Sequence, residues 1–314
     1  MSFSASVKNE LSKYKLEGFE NVIAELSGLV PMCGLLSYKN GKVFLKINSE
    51  SASVTRRVFT FLRRFFGFDL SIKNTRSKQL KNNLYTISLD EESSRVLLDE
   101  IDFIKGENVF IPNYVPSFLK NNAAAKKAYI RGAFLGASTI VDPKKSYHLE
   151  FITNNLDHAN FLQKTILEFS ISAKIAPRRE SFIVYLKDSQ AISDLLSLMG
   201  AHKSVLAFED TRVLKDMRNR VNRIVNCETY NLNKIVASSI NQVKDIEYIR
   251  DKIGLEKLPK ELRDLAEIRL EDREISLADI GRLVDPPVSK STVNYRFKKI
   301  ENISNKLRGG IDDR

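Results

Sequence analysis

Apolar positions recur along this chain with two periods, and each change of period marks a change of element. Val43, Leu45 and Ile47 alternate with their neighbours, the two-residue repeat of a strand with one covered face. Val58, Phe61, Leu62 and Phe65 recur at three and four residues, which is the stripe of an amphipathic helix. Read in order, the pattern predicts a strand over Val43 to Asn48 and a helix over Ser53 to Phe66. A strand pair (Asp69 to Lys73, Leu84 to Leu89) and a short helix from Ser93 to Asp102 follow. The same order then returns as a strand (Tyr147 to Thr153), a helix (Asp157 to Phe169), a strand pair (Ala173 to Ala176, Phe182 to Leu186) and a helix (Ser189 to Leu198).

Each copy is preceded by an apolar helical run broken by small residues: Ala24 to Gly34, and Tyr129 to Ser138. Gly132 and Gly136 lie four apart and therefore on one helix face, where missing side chains admit a second backbone at some cost in helix propensity. Gly28 and Gly132 are offset by 104 residues, and the chain reads as an internal duplication whose glycine-bearing helices meet at a two-fold. Ahead of them, Phe3, Val7 and Leu11 predict a short helix packed on the first half, capped by Ser2 or Ser4. Pro112 and Pro116 mark the connection between the halves, and Pro143 ends the second motif region.

After Gly200 the composition shifts. Asp210 reads as an N-cap for a helix over Thr211 to Val225, with Leu214, Met217, Val221, Ile224 and Val225 as its core stripe and Arg212, Lys215, Asn219, Asn222 and Arg223 opposite. Cations interleaved with asparagine amides suit phosphate and base-edge contact, although charge opposite a core stripe is also ordinary. Asn231 to Ile253 continues helical. Pro259 then opens a helix with Leu262, Leu265, Ala266 and Leu270 inward, and Ser276 caps a short one with Leu277, Ile280, Leu283 and Val284 inward. Prolines 286 and 287 stop that helix, and Ser289 caps a third with Val293, Phe297, Ile300 and Leu307 inward.

Short helix, tight break and longer basic helix make a helix-turn-helix over about residues 276 to 308. Projected on a wheel, Ser291, Asn294, Tyr295, Lys298 and Asn302 point away from the apolar stripe. We therefore expect Ser291, Asn294 and Tyr295 to meet base edges, and Thr292 to lie in the same segment. Lys290, Arg296, Lys298 and Lys299 are expected to meet phosphates.

Composition agrees with that partner. The 314 residues, 43% of them hydrophobic, suffice for two or three cores, and a net charge of +11 with a pI near 9.4 biases the surface toward polyanions. Nucleic acid leads; a membrane surface is the lesser choice. Arg56, Arg57, Arg63, Arg64, Lys73, Arg76, Lys78 and Lys81 face only Asp69, either as a solvated surface or as the lining of a nucleic-acid groove. No apolar run approaches the roughly 18 to 20 residues of a membrane span, and Met1 to Lys13 lacks the apolar core of a signal peptide. The expected location is cytoplasmic and nucleoid-associated. Cys33 and Cys227 lack metal-site spacing, and His148, His158 and His202 have no nucleophile or acid at motif spacing. No cofactor is expected.

The paired segments resemble the motif helices of LAGLIDADG homing endonucleases, in which each helix ends in an acid that holds a divalent cation beside the scissile phosphate. On that resemblance the metal-binding acids fall at Cys33 and Ala137. A thiol and a methyl group supply none of the hard oxygen ligands that metal-assisted cleavage needs. Asp142 lies five residues beyond the second position and before a proline, where a turn role suits it.

Over nearly its whole length the chain resembles the WhiA family. The match runs through Met1 to Leu11, Arg131 to Gly136, Tyr147 to Phe151, Thr211 to Lys234 and Ser276 to Lys299. The family often carries glycine and histidine where this chain has Thr292 and Tyr295. The resemblance implies an α+β fold, a duplicated LAGLIDADG homing-endonuclease-like domain followed by an all-α helix-turn-helix domain. The expected boundaries are 1–105, 106–205, a basic helical linker over 206–256, and 257–314. It further implies a bacterial DNA-binding protein of cell division, chromosome segregation and, in sporulating relatives, transcription regulation. Double-stranded DNA is the expected partner, with a protein partner in division or transcription. Two alternatives stay open from the residues alone: a metal-dependent nuclease using acids outside the motif, and a partner- or ligand-binding module tethered to DNA.

Overall fold

The computed structural model describes residues 2–76, 83–105, 108–109 and 116–309, and the chain divides into two units, Met1–Asp216 and Met217–Arg314. In order, the first unit holds α1 (Phe3–Leu11), α2 (Phe19–Cys33), β1 (Gly34–Lys39), β2 (Lys42–Ser49), α3 (Ala52–Phe66), β3 (Ser71–Arg76), β4 (Asn83–Ser88) and α4 (Glu91–Glu100). A short pair, β5 (Ile104–Lys105) with β6 (Asn108–Val109), precedes α5 (Ala123–Ala137). There follow β7 (Ser138–Ile140), β8 (Leu149–Thr153), α6 (Leu156–Leu167), β9 (Lys174–Arg178), β10 (Ser181–Leu186) and α7 (Ser189–Met199).

The duplication is literal at the level of pairing. One antiparallel sheet is ordered β1-β2-β4-β3 and the other β7-β8-β10-β9, the same order displaced by one copy. Between them α2 and α5 pack at backbone distance. A Cβ added at Gly132 would lie 1.8 Å from the carbonyl oxygen of Glu25, and one at Gly28 would lie 2.0 Å from that of Tyr129. An offset of 104 residues carries Glu25 onto Tyr129 and Gly28 onto Gly132, so each contact is the two-fold image of the other. Leu26, Leu29, Phe134 and Leu135 on these helices join Leu45, Leu62, Phe151 and Leu196 in one core. Each such side chain withdrawn from water stabilises the unit by roughly 1.5–3 kcal/mol.

Alternation and stripes explain most of these elements, and caps fix their starts. Ser2, Ser51, Asp90, Asn122, Asn155 and Asp188 each accept a first-turn backbone N–H with the side chain. β1 and β7 were not expected. Their register with β2 and β8 is backbone pairing, and Leu35 and Tyr38 stay more than half exposed on an edge strand that buries no alternating face.

Arg57 departs from the expected basic groove. It is buried, with its Nη2 donating to Glu25 Oε2 at 2.9 Å and its Nη1 to the Tyr14 carbonyl at 2.6 Å. Arg131 Nη1 reaches the same carboxylate oxygen at 3.3 Å, and its Nε donates to the Met199 carbonyl at 2.7 Å. A carboxylate between two arginines offsets much of their desolvation, although burial still pulls Arg131 below its ordinary value. Arg56, Arg63, Arg64 and Lys73 do lie exposed. Lys78, Lys81, Pro112 and the side chain of Arg76 fall outside the described residues.

One helix, α8 (His202–Ile253), carries the chain from the first unit into the second. Asp210 lies inside it and caps nothing, because helix already starts at His202. The stripe expected to face a core also departs: Leu214, Met217, Val221, Ile224 and Val225 are 51% to 60% exposed. Helical spacing puts them on one face without supplying anything to cover it. Further along, Ile246 and Ile249 do enter a core, with residues of α9 (Lys260–Glu271), α10 (Leu277–Leu283) and α11 (Lys290–Gly309).

Candidate nucleic-acid interface

The second unit is built so that one face of α11 is held and the other is presented. Ser276 accepts the N–H of Asp279 at 3.2 Å and Ser289 that of Thr292 at 3.2 Å, which fixes the starts of α10 and α11. The break between them closes where Val288 N–H donates to the Gly281 carbonyl at 2.8 Å. That approach requires glycine, since a Cβ at Gly281 would stand 2.4 Å from the Val288 carbonyl oxygen. Val293, Phe297 and Ile300 are buried against Leu262, Leu265, Ala266 and Ile280. Leu283, expected inward, is instead 62% exposed at the end of α10.

Fixing that stripe turns the other face out. Lys290, Ser291, Asn294, Tyr295, Lys298, Lys299 and Asn302 are exposed, and the Lys299 ammonium sits 4.9 Å from the centre of the Tyr295 ring. The pair sets a flat aromatic beside a cation, a surface suited to bases and phosphates. Two of the expected residues are already engaged. Thr292 is half-buried, with its hydroxyl 3.0 Å from that of Ser289, and Arg296 is half-buried in an ion pair 2.9 Å from Glu261.

On α8 the expected residues divide similarly. Arg212 bonds Glu209 at 3.1 Å and Gln190 at 2.9 Å, and Lys215 lies 4.8 Å from the Tyr147 ring. Asn219 and Arg223 are exposed. Sequence reasoning missed Gly281, which its place as a glycine inside the short helix ahead of two prolines could have signalled. It also missed Arg269, which is only 2% exposed and whose Nη1 donates to the carbonyls of Arg273 and Ile275 at 3.2 and 2.7 Å.

At the other candidate site, α2 ends at Cys33 and α5 at Ala137. The Cys33 thiol donates to the Leu29 carbonyl at 3.4 Å, and burial pushes it up to about 12, so it stays protonated. Among the described residues no three His, Cys, Asp or Glu side chains gather as a metal site would need. Asp142 sits in a turn, where its carboxylate accepts the Lys144 N–H at 2.9 Å. His158 is buried with Nδ1 3.1 Å from the Thr153 hydroxyl, and desolvation lowers it to about 4. His148 lies 3.2 Å from Glu150, which Arg178 also pairs at 2.9 Å. No helix of the described residues is long and apolar enough to cross a membrane.

Comparison with known proteins adds three matches by family profile. They are the WhiA N-terminal LAGLIDADG-like domain over residues 20–104, the WhiA LAGLIDADG-like domain over 126–218 and the WhiA C-terminal HTH domain over 221–304. The chain is 43% identical to a "Probable cell division protein WhiA" of Clostridium botulinum, over 99% of its own length and all of the relative's. The protein of the same name in Clostridium tetani is also 43% identical, with 98% of each chain covered. Among solved structures, full-length DUF199/WhiA from Thermatoga maritima matches with a TM-score of 0.57 at 24% identity, covering 98% of this chain and 99% of that one.

Proposed function

The chain belongs to the WhiA family, and from that membership we propose that it is a non-catalytic, sequence-directed DNA-binding protein of cell division, acting in chromosome segregation or transcription regulation. The observation that carries this reading is the exposed face of α11, where Ser291, Asn294 and Tyr295 stand out beside Lys290, Lys298 and Lys299 while the opposite stripe is buried. Ser291, Asn294 and Tyr295 read base edges, and the three lysines neutralise phosphates. Thr292 holds the start of the helix, and Arg296 fixes α11 against α9 through Glu261. Asn219 and Arg223, both exposed on α8, contribute phosphate contacts from the second unit, and Arg212 and Lys215, which belong to the first unit, are proposed to contact phosphates as well.

The LAGLIDADG-like halves serve as scaffold, since thiol and methyl at Cys33 and Ala137 give a divalent cation no oxygen ligand. Nuclease activity is lost on this reading, and the protein works in the cytoplasm on the nucleoid. The division proposed is 1–105 and 106–205 for the halves, 206–256 for the helical connection and 257–314 for the DNA contact.

Binding of labelled duplex by the full chain, followed as salt is raised, tests the proposal. We expect affinity to fall steeply with salt, and Lys298→Ala to lower the steepness of the log–log plot by about one. An affinity for duplex that does not respond to salt would remove the phosphate contacts on which the proposal stands.

A further inference from the structure

A concavity of the second unit lies beside the presented face of α11. It has a volume of about 550 Å³ and is walled by α8, α10 and α11 with Arg269 of α9. That volume falls within the range of small-molecule sites. Lys234, Arg269 and Lys290 bring three cations to it, and among the described residues no carboxylate lines it.

Arg269 is the informative member. It is buried, its Nη1 is spent on two backbone carbonyls, and its Nε has no hydrogen-bond partner among the described residues. A buried guanidinium edge left unsatisfied is costly, and an anion is the group that satisfies it with a charge-assisted bond. Burial lowers Arg269 from its ordinary value while Asp272, outside the lining, opposes that shift, so no carboxylate of the pocket does the neutralising.

Beside it the buried Gln242 Oε1 likewise has no partner among the described residues, leaving an acceptor for an O–H or N–H. Ile235, Leu277 and Ala278 supply an apolar wall. Cations, one orphan acceptor and an apolar wall together match a phosphate group joined to a hydroxyl-bearing, partly apolar body.

We propose that this pocket binds a small phosphate-bearing ligand of nucleotide size, held by Arg269, Lys234 and Lys290, with Gln242 accepting from its hydroxyl or amine. Lys290 and Asn294 line the pocket and also lie on the exposed face of α11, so an occupant draws both away from DNA and weakens duplex binding. That consequence rests on the DNA-binding reading. The binding itself does not.

Calorimetric titration of the DNA-free full chain with adenosine monophosphate, at constant ionic strength, tests the site separately from DNA. We expect saturable binding that weakens about tenfold in Lys234→Ala and is unchanged in Arg220→Ala, an exposed cation of α8 outside the pocket. Arg269→Gln should abolish the binding. Because Arg269 also ties down backbone carbonyls and its loss can unfold the unit, the exposed Lys234 decides the matter. No saturable heat at millimolar nucleotide, or equal weakening in Lys234→Ala and Arg220→Ala, overturns the proposal. So does a pocket that answers only to duplex, with Lys234→Ala weakening DNA binding and the nucleotide giving no heat, since the anion is then the DNA backbone.

Discussion

At Gly132 one added methyl group decides whether the two halves can meet. Its Cβ would lie 1.8 Å from a backbone oxygen, and backbone cannot swing aside as a side chain does, so Gly132→Ala should destabilise the first unit by about 3 kcal/mol or more in denaturant unfolding. This residue was legible, because glycines four apart in an apolar helix have few other uses. Arg57 was not, because a letter in a basic run does not say which cation turns inward to a buried Glu25. Burial also gives His158 a pH signature. Held at about 4 against an ordinary value near 6.5, it stays neutral in the folded chain while the unfolded chain takes up a proton. Stability from this group is present above about 6.5, falls as pH drops, and is gone below about 4, a loss of about 3 kcal/mol. Unfolding measured across that window should show a shallower pH dependence in His158→Gln than in the natural chain.

Among elements, α8 and β1 show where periodicity stops being informative. Spacing put Leu214, Met217, Val221, Ile224 and Val225 on one face correctly, yet the same spacing describes a buried stripe and a bare one. Replacing Val221 and Ile224 by serine should therefore change stability by no more than about 0.5 kcal/mol per site in thermal unfolding, where a core stripe would lose several times that. β1 escaped for the opposite reason: its sheet position comes from backbone bonds to β2, and its side chains carry no buried alternation. The helix-turn-helix was readable because caps, prolines and stripe agree. Its weak point is where the turn packs on α10, and Gly281→Ala should unfold the second unit while leaving amide exchange protection in α2 and α5 unchanged.

For the molecule as a whole, duplication and helix-turn-helix were visible because both repeat a local pattern, one along the chain and one across three helices. The pocket beside α11 was not, since its walls join helix-turn-helix residues such as Lys290 and Asn294 to residues as far away as Asn231 and Lys234, which no local spacing links. Supercoiled plasmid incubated with the protein and magnesium or manganese should remain uncut, and persistent cutting by purified protein would restore the nuclease alternative. The central claim is that side chains on the outer face of α11 choose the sequence. Selection of bound duplexes from a random pool, by the natural chain and by the Asn294→Ala, Tyr295→Ala double variant, measures that choice directly. The natural chain should enrich one recurring short sequence, and the double variant should still bind at low salt while enriching none; enrichment of the same sequence by both would contradict it.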